Sequence, residues 1–250
     1  MNRLQKIFEE LELYCTKHQK YFKIYEEILS KYVGKKVVVV EIGVLSGGSL
    51  LMWKKFFGEN ARIIGIDINE KAKELEKYGF EIFIGDQSKP EFWKTFFSKI
   101  GPIDVMIDDG GHSNLDQIVT TINAVKKIKD GGVIVIEDTH SSYQKKFSNP
   151  SKYSFINFSK KLIDDINFKF PNLSKFNFSL NDYIYSISYF ESIVCFNIDT
   201  KKCLSNEKIK NKGSKIIVED KRVLNMGKKS RIINLIKNIF SKNIVRKYFD

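Results

Sequence analysis

Two hydrophobic patterns alternate along this chain. Five short runs are almost continuously apolar: KKVVVVEIG (35–43), ARIIGIDIN (61–69), FEIFIGD (80–86), PIDVMIDD (102–109) and GGVIVIED (131–138). Runs of this length suit strands covered on both faces, as in a parallel sheet. Between them, residues 48–57, 70–78, 90–99 and 114–129 space their apolar positions as helices do. Two further helices are expected ahead of the first strand. Residues 2–15 carry Leu4, Ile7, Phe8 and Leu11, and residues 20–32 carry Tyr21, Ile24, Tyr25, Ile28 and Leu29. Beyond residue 150 the pattern predicts a helix over 152–170. Two strands then follow within 182–199, pairing antiparallel at the sheet edge. Repeated strand–helix units of this kind define an α/β chain with a doubly wound, mostly parallel seven-stranded sheet and an antiparallel edge. Ligands in such sheets bind beyond the carboxyl ends of the strands.

Charge divides the chain. Its net charge is +12, and residues 199–250 alone hold 15 Lys/Arg against 5 Asp/Glu. Attraction to polyanions therefore belongs to the tail. Residues 199–222 read as a polar linker. Residues 228–250 place Ile232, Leu235, Ile236, Ile239, Phe240 and Val245 near one helical face among basic residues. The expected organisation is an N-terminal helical segment (1–35), a main domain (36–198), and a basic linker with an amphipathic helix (199–250). That helix either docks on the domain or a second copy in a homo-oligomer, or lies on anionic lipid through residues 228–248. Three scattered cysteines, an uninterruptedly charged N-terminus and no apolar stretch of spanning length point to a cytoplasmic chain, peripheral at most at the inner face of a membrane.

The strand ends carry the candidate chemistry. EIGVLSGGS (41–49) is a glycine-rich turn that opens a helix, but it departs from the GxGxxG dinucleotide fingerprint. Asp67 ends the second strand, where a carboxylate can accept from ribose hydroxyls. Asp86 and Gln87 end the third and can reach an adenine edge. A nucleoside cofactor without pyrophosphate suits this series better than a dinucleotide. Strands four and five end in Asp108-Asp109 and Glu137-Asp138. On neighbouring strands, four carboxylates repel one another unless protonated or bridged by a cation. Oxygen donors favour a hard ion such as Mg²⁺. His112 follows over two glycines and can act as a general base, with His140 as a rival. The alternative is that these acids cap the following helices. His18 is not assigned by the pattern.

VVVVEIGVLSGGSLLMW, IIGIDIN, FIGDQS, IDVMIDDGGH and VIVIEDTHSSY together resemble class I S-adenosylmethionine-dependent O-methyltransferases. Within that class they are similar to the metal-dependent sugar methyltransferases of the macrocin and mycinamicin kind. The resemblance covers residues 14–198, from before HQKYFKIYEE to SISYFESIVCFNI. It implies a Rossmann-like fold with S-adenosylmethionine over Glu41, Gly43 and Asp67, Asp86 and Gln87 near the adenine, and Asp108 toward the methionine end. It further implies Mg²⁺ on Asp109, Glu137 and Asp138, His112 as base, and Tyr143 and His140 at the acceptor. The implied activity is O-methylation of a sugar or nucleotide sugar. The acceptor is a precursor of capsule or another surface polysaccharide, or another glycosylated natural product. An RNA substrate anchored by the tail is the weaker reading, because an acidic pocket repels phosphates.

Overall fold

The structure is a computed structural model describing residues 2–147, 151–169, 179–204, 207–215 and 217–218. The chain divides into two units, 1–207 and 208–250, and every element named here lies in the first. The expected amphipathic helix at 228–248 lies outside the described residues. Among the described residues no helix is long and apolar enough to cross a membrane.

Seven strands form one sheet: β1 (Val38–Ile42), β2 (Arg62–Asp67), β3 (Glu81–Ile84), β4 (Ile103–Asp108), β5 (Ile128–Ile136), β6 (Ile184–Phe190) and β7 (Ile193–Ile198). Their order is β3-β2-β1-β4-β5-β7-β6. Strands β1 to β5 pair in parallel, and β7 runs antiparallel between β5 and β6. The expected doubly wound architecture is therefore the observed one.

Successive strand residues serve opposite faces. Val39, Ile63, Val105 and Val133 pack on one side with Tyr25, Trp53 and Phe56. Val40, Ile64, Met106 and Ile134 pack on the other with Trp93, Phe96 and Phe155. Helices α1 (Arg3–Glu9), α2 (Tyr21–Leu29) and α3 (Gly48–Phe57) contribute to the first layer. Helices α4 (Pro90–Ile100), α5 (Asn114–Ala124) and α6 (Phe155–Phe168) contribute to the second. The continuous apolar runs are explained by this double coverage.

Three departures from the expected elements matter. The helix expected over 2–15 stops at Glu9. The next apolar residue at helical spacing beyond Leu11, Tyr14, is 66% exposed, so a longer helix would have no further face to bury. Residues 11–20 instead run as irregular chain toward the carboxyl ends of the strands. Residues 70–78 are a 3₁₀ helix rather than an α-helix. Its two buried residues, Ala72 and Leu75, are three apart, and that spacing eclipses them on one 3₁₀ face. The helix expected to reach 129 ends at Ala124, and β5 begins at Ile128.

The strand order reverses between β1 and β4, which creates a crevice at their carboxyl ends. There the first glycine turn and the DDGG turn touch backbone to backbone. The Asp109 N–H donates to Ile42 O at 3.0 Å. Gly43 has φ +81°, and a Cβ on it would lie 2.2 Å from Asp109 O. Only glycine permits this approach.

Candidate active site

A cavity of about 640 Å³ opens at this crevice, within the range of small-ligand sites. One end is formed by the turns after β1, β2 and β3. Asp67 Oδ2 accepts from the N–H groups of Val44 and Leu45, both at 3.1 Å, and Oδ1 accepts from Asn69 N at 2.9 Å. The acid thus ties the glycine-rich turn down while still lining the cavity. Leu45 and Ile68 also line it, at 70% and 71% exposure. Apolar side chains left open on either side of a carboxylate suit a flat, partly polar ligand. Asp86 reaches the cavity, its pKa held down by hydrogen bonds from Ser88.

Gln87 and Asp108 are hydrogen-bonded to each other. Gln87 Nε2 donates to both Asp108 oxygens, at 3.0 and 3.1 Å, and to Thr120 at 3.1 Å. Gln87 Oε1 accepts from Gly111 N at 2.9 Å. Asp108 is fully buried, and burial pushes its pKa up to about 6 against the opposing bonds from Gln87 and Gly110. Gln87 touches the cavity, whereas Asp108 holds the DDGG turn from beneath.

The other end gathers the remaining acids. His112 Nε2 lies 3.5 Å from Asp138 Oδ2 and 3.9 Å from Asp109 Oδ1. Its Nδ1 is buried without a hydrogen-bond partner among the described residues. His112 and Asp138 both adopt left-handed backbone, at φ 54° and 52°. Strain of this kind persists only where the surroundings impose it. Asp109, His112 and Asp138 can offer three donor atoms to one ion, all within 4.8 Å of one another. This oxygen-rich set fits a hard divalent cation.

Glu137, expected beside them, also lines the cavity. It is 1% exposed and meets Lys17, whose Nζ lies 2.9 and 3.0 Å from its two oxygens. The same ammonium is 2.5 Å from Asp109 Oδ2 and 3.6 Å from Glu41 Oε1. Burial alone would lower the Lys17 pKa, but Glu137, Asp109 and Glu41 outweigh it and hold the group protonated. Burial and the Asp109 charge raise the Glu137 pKa, opposed by Lys17. Glu41 is wholly buried below the cavity, where Oε2 accepts from Ser49 at 2.7 Å.

Lys17 is the residue that sequence reasoning missed. Its one signal is position, inside the stretch that carries the resemblance and just before the amphipathic helix α2. Tyr21 was read only as an apolar position of α2. Its hydroxyl donates to Asp138 Oδ1 at 2.5 Å and lies 2.9 Å from Ser192 Oγ. His140 stands on the outer side of Asp138, with Nδ1 against Ser192 Oγ and 3.9 Å from Asp138 Oδ1. Tyr143 is not brought to the cavity. It is 61% exposed and borders a separate shallow depression with Lys152 and Asn157.

Residues 40–139 match the profile of a family described as a methyltransferase domain. The doubly wound sheet, with this cavity at its switch point, agrees with that match. It is similar to sugar O-methyltransferases of the macrocin and mycinamicin kind. It is 31% identical over 156 residues to 8-demethyl-8-alpha-L-rhamnosyl tetracenomycin-C 2'-O-methyltransferase of Streptomyces olivaceus, covering 58% of this chain and 41% of that one. It is 33% identical over 155 residues to demethylmacrocin O-methyltransferase of Streptomyces fradiae, covering 57% and 38%. The chain thus spans well under half of these relatives. Among solved structures it is similar to the MycE methyltransferase of the mycinamycin biosynthetic pathway, in complex with Mg and SAH. There the TM-score is 0.68 at 26% identity, covering 78% of this chain and 53% of that one.

Proposed function

We propose that this chain is an S-adenosylmethionine- and Mg²⁺-dependent O-methyltransferase acting on a sugar hydroxyl. The observation that carries the reading is one cavity holding two ends. A glycine turn, Asp67 and open apolar flanks suit a nucleoside, and an imidazole sits between two carboxylates at the other end. The solved relative is a complex with Mg and SAH, and one named relative is a 2'-O-methyltransferase of a rhamnosyl tetracenomycin.

In this reading the methyl donor lies along Gly43, Asp67, Asp86 and Gln87, with Leu45 and Ile68 flanking its base. Asp109 and Asp138 would hold the divalent ion beside His112, and the ion would supply Lewis-acid polarisation and a template for neighbouring sugar oxygens. Glu137, the third expected ligand, is engaged by Lys17. His112 Nε2, 3.5 Å from Asp138 Oδ2 and 3.9 Å from Asp109 Oδ1, would take the proton of the acceptor hydroxyl rather than bind the ion. The Lys17 ammonium fixes Asp109 from behind, so the acid keeps its orientation while the acceptor enters. Positioning the oxygen against the methyl group accounts for much of the rate.

Mass spectrometry tests the activity. The chain is incubated with S-adenosylmethionine, Mg²⁺ and two acceptor panels: nucleotide sugars of surface-polysaccharide assembly, and glycosylated natural products. A mass gain of one methyl group that a chelator abolishes supports the proposal. Turnover that persists in excess chelator would overturn the metal assignment. Absence of transfer to every sugar, with donor binding intact, would overturn the acceptor class.

A further inference from the structure

The chain has three histidines, and all three face one carboxylate. His112 Nε2 approaches Asp138 Oδ2 at 3.5 Å. His18 Nε2 and His140 Nδ1 approach the other oxygen, Oδ1, at 3.7 and 3.9 Å. The two oxygens of Asp138 therefore serve two different donor sets. The inner set, with Asp109 and His112, holds two carboxylates. The outer set, with His18 and His140, holds two imidazoles, and its donor atoms also lie within 4.8 Å of one another.

We infer that His18, Asp138 and His140 form a second cation site, one that takes a nitrogen-preferring divalent ion such as Zn²⁺. Two imidazoles and one carboxylate are the donors of zinc and related ions, not of Mg²⁺. Tetrahedral zinc with bonds of about 2.0–2.1 Å needs ligand atoms roughly 3.4 Å apart. The observed separations from Oδ1 require only a small contraction.

The surroundings suit the role. Tyr21 donates to Oδ1 and so orients the shared carboxylate from outside the donor set, as partners of metal ligands do. His140 Nδ1 now contacts Ser192 Oγ. An ion on Nδ1 replaces that contact, and Ser192 retains Tyr21 as its partner. His18 is 64% exposed and His140 42% exposed at the side chain, so an ion has an entry path and open positions for water. The two rings meet edge to face, 5.8 Å between centroids.

Isothermal titration with Zn²⁺ in excess Mg²⁺, and with Mn²⁺ alone, tests the inference on wild type, His18→Ala, His140→Ala and Asp109→Asn. Each histidine variant should lose Zn²⁺ affinity by about tenfold or more, at least the loss seen when a ligand's outer partner is removed. Each should keep Mn²⁺ affinity within about twofold, and Asp109→Asn should do the reverse. Thermal melts check that each variant is folded, and both histidines lie at the surface. Unchanged Zn²⁺ affinity in either histidine variant overturns the inference. So does equal loss of both ions in all three variants, which would mean a single site. The inference shares Asp138 with the methyltransferase proposal but does not depend on it. If Mn²⁺ fails to bind while Zn²⁺ binding is lost with His18 and His140, the inner-ion assignment falls and this site stands.

Discussion

The Lys17 ammonium lies 2.9 Å from Glu137 Oε1, with both groups buried and 120 positions apart in the chain. This contact pins the irregular segment after α1 to the end of β5. It also offsets part of the negative charge of the crowded carboxylates from inside the protein.

Lys17→Met should therefore destabilise the fold by about 3–5 kcal/mol, because Glu137 is left buried without its counter-ion. Adding Glu137→Gln should recover much of the loss. Urea denaturation of the two single variants and the double variant measures the coupling. Additive effects would show that the pair does not interact.

His112→Ala and Asp138→Ala should bind S-adenosylmethionine about as wild type does, since neither touches the nucleoside end. Turnover should fall by about a hundredfold to ten-thousandfold for the base. Donor titration alongside single-turnover rates separates the two effects. Near wild-type rates in both variants would remove the imidazole–carboxylate pair from the mechanism.

Gly43→Ala puts a Cβ 2.2 Å from Asp109 O at a left-handed backbone position. Relief requires the two turns to part, at a cost of about 1–3 kcal/mol or more. Donor binding should weaken together with the melting temperature. A variant that melts as wild type does would show that the turns are not held in contact.

Burial pushes the Cys15 thiol up to about 12, against the lowering effect of Lys17. A thiol whose pKa is raised on folding stays protonated in the native state. Its contribution to stability is full below the ordinary value of 9.0 and is lost as pH rises from there toward 12. At pH 9 about one part in a thousand of the native thiol is ionised, against about half in the unfolded chain. Iodoacetamide should accordingly label Cys15 slowly at pH 9 in the native protein and rapidly in urea, as peptide mapping would show. Rapid native labelling would mean that residues 11–20 open readily.

The strands, their order of chemistry and the acidic strand ends were legible in the chain because each is local. A run such as VVVVEI has one way to bury both faces, and an acid that follows such a run stands at a strand end wherever the strand goes. Asp67, Asp86, Asp109, His112 and Asp138 reached the cavity for that reason. The helix limits were less legible. Whether residues 10–15 continue α1, or residues 70–78 tighten to 3₁₀, depends on what they can bury against.

The sequence by itself determined the doubly wound sheet and the acids that line its crevice, through periodicities read within a few residues of each site. Only the tertiary structure decided how those acids are shared. Lys17 meets Glu137 across 120 positions, so Glu137 is held by an ammonium at the buried wall of the cavity, while its neighbour Asp138 stands more open. His18 and His112 come from two remote segments and join His140, on the 3₁₀ helix that Asp138 caps, around Asp138. Charge neutralisation and metal-donor geometry depend on distances of a few ångströms between remote residues, and no local pattern encodes such distances.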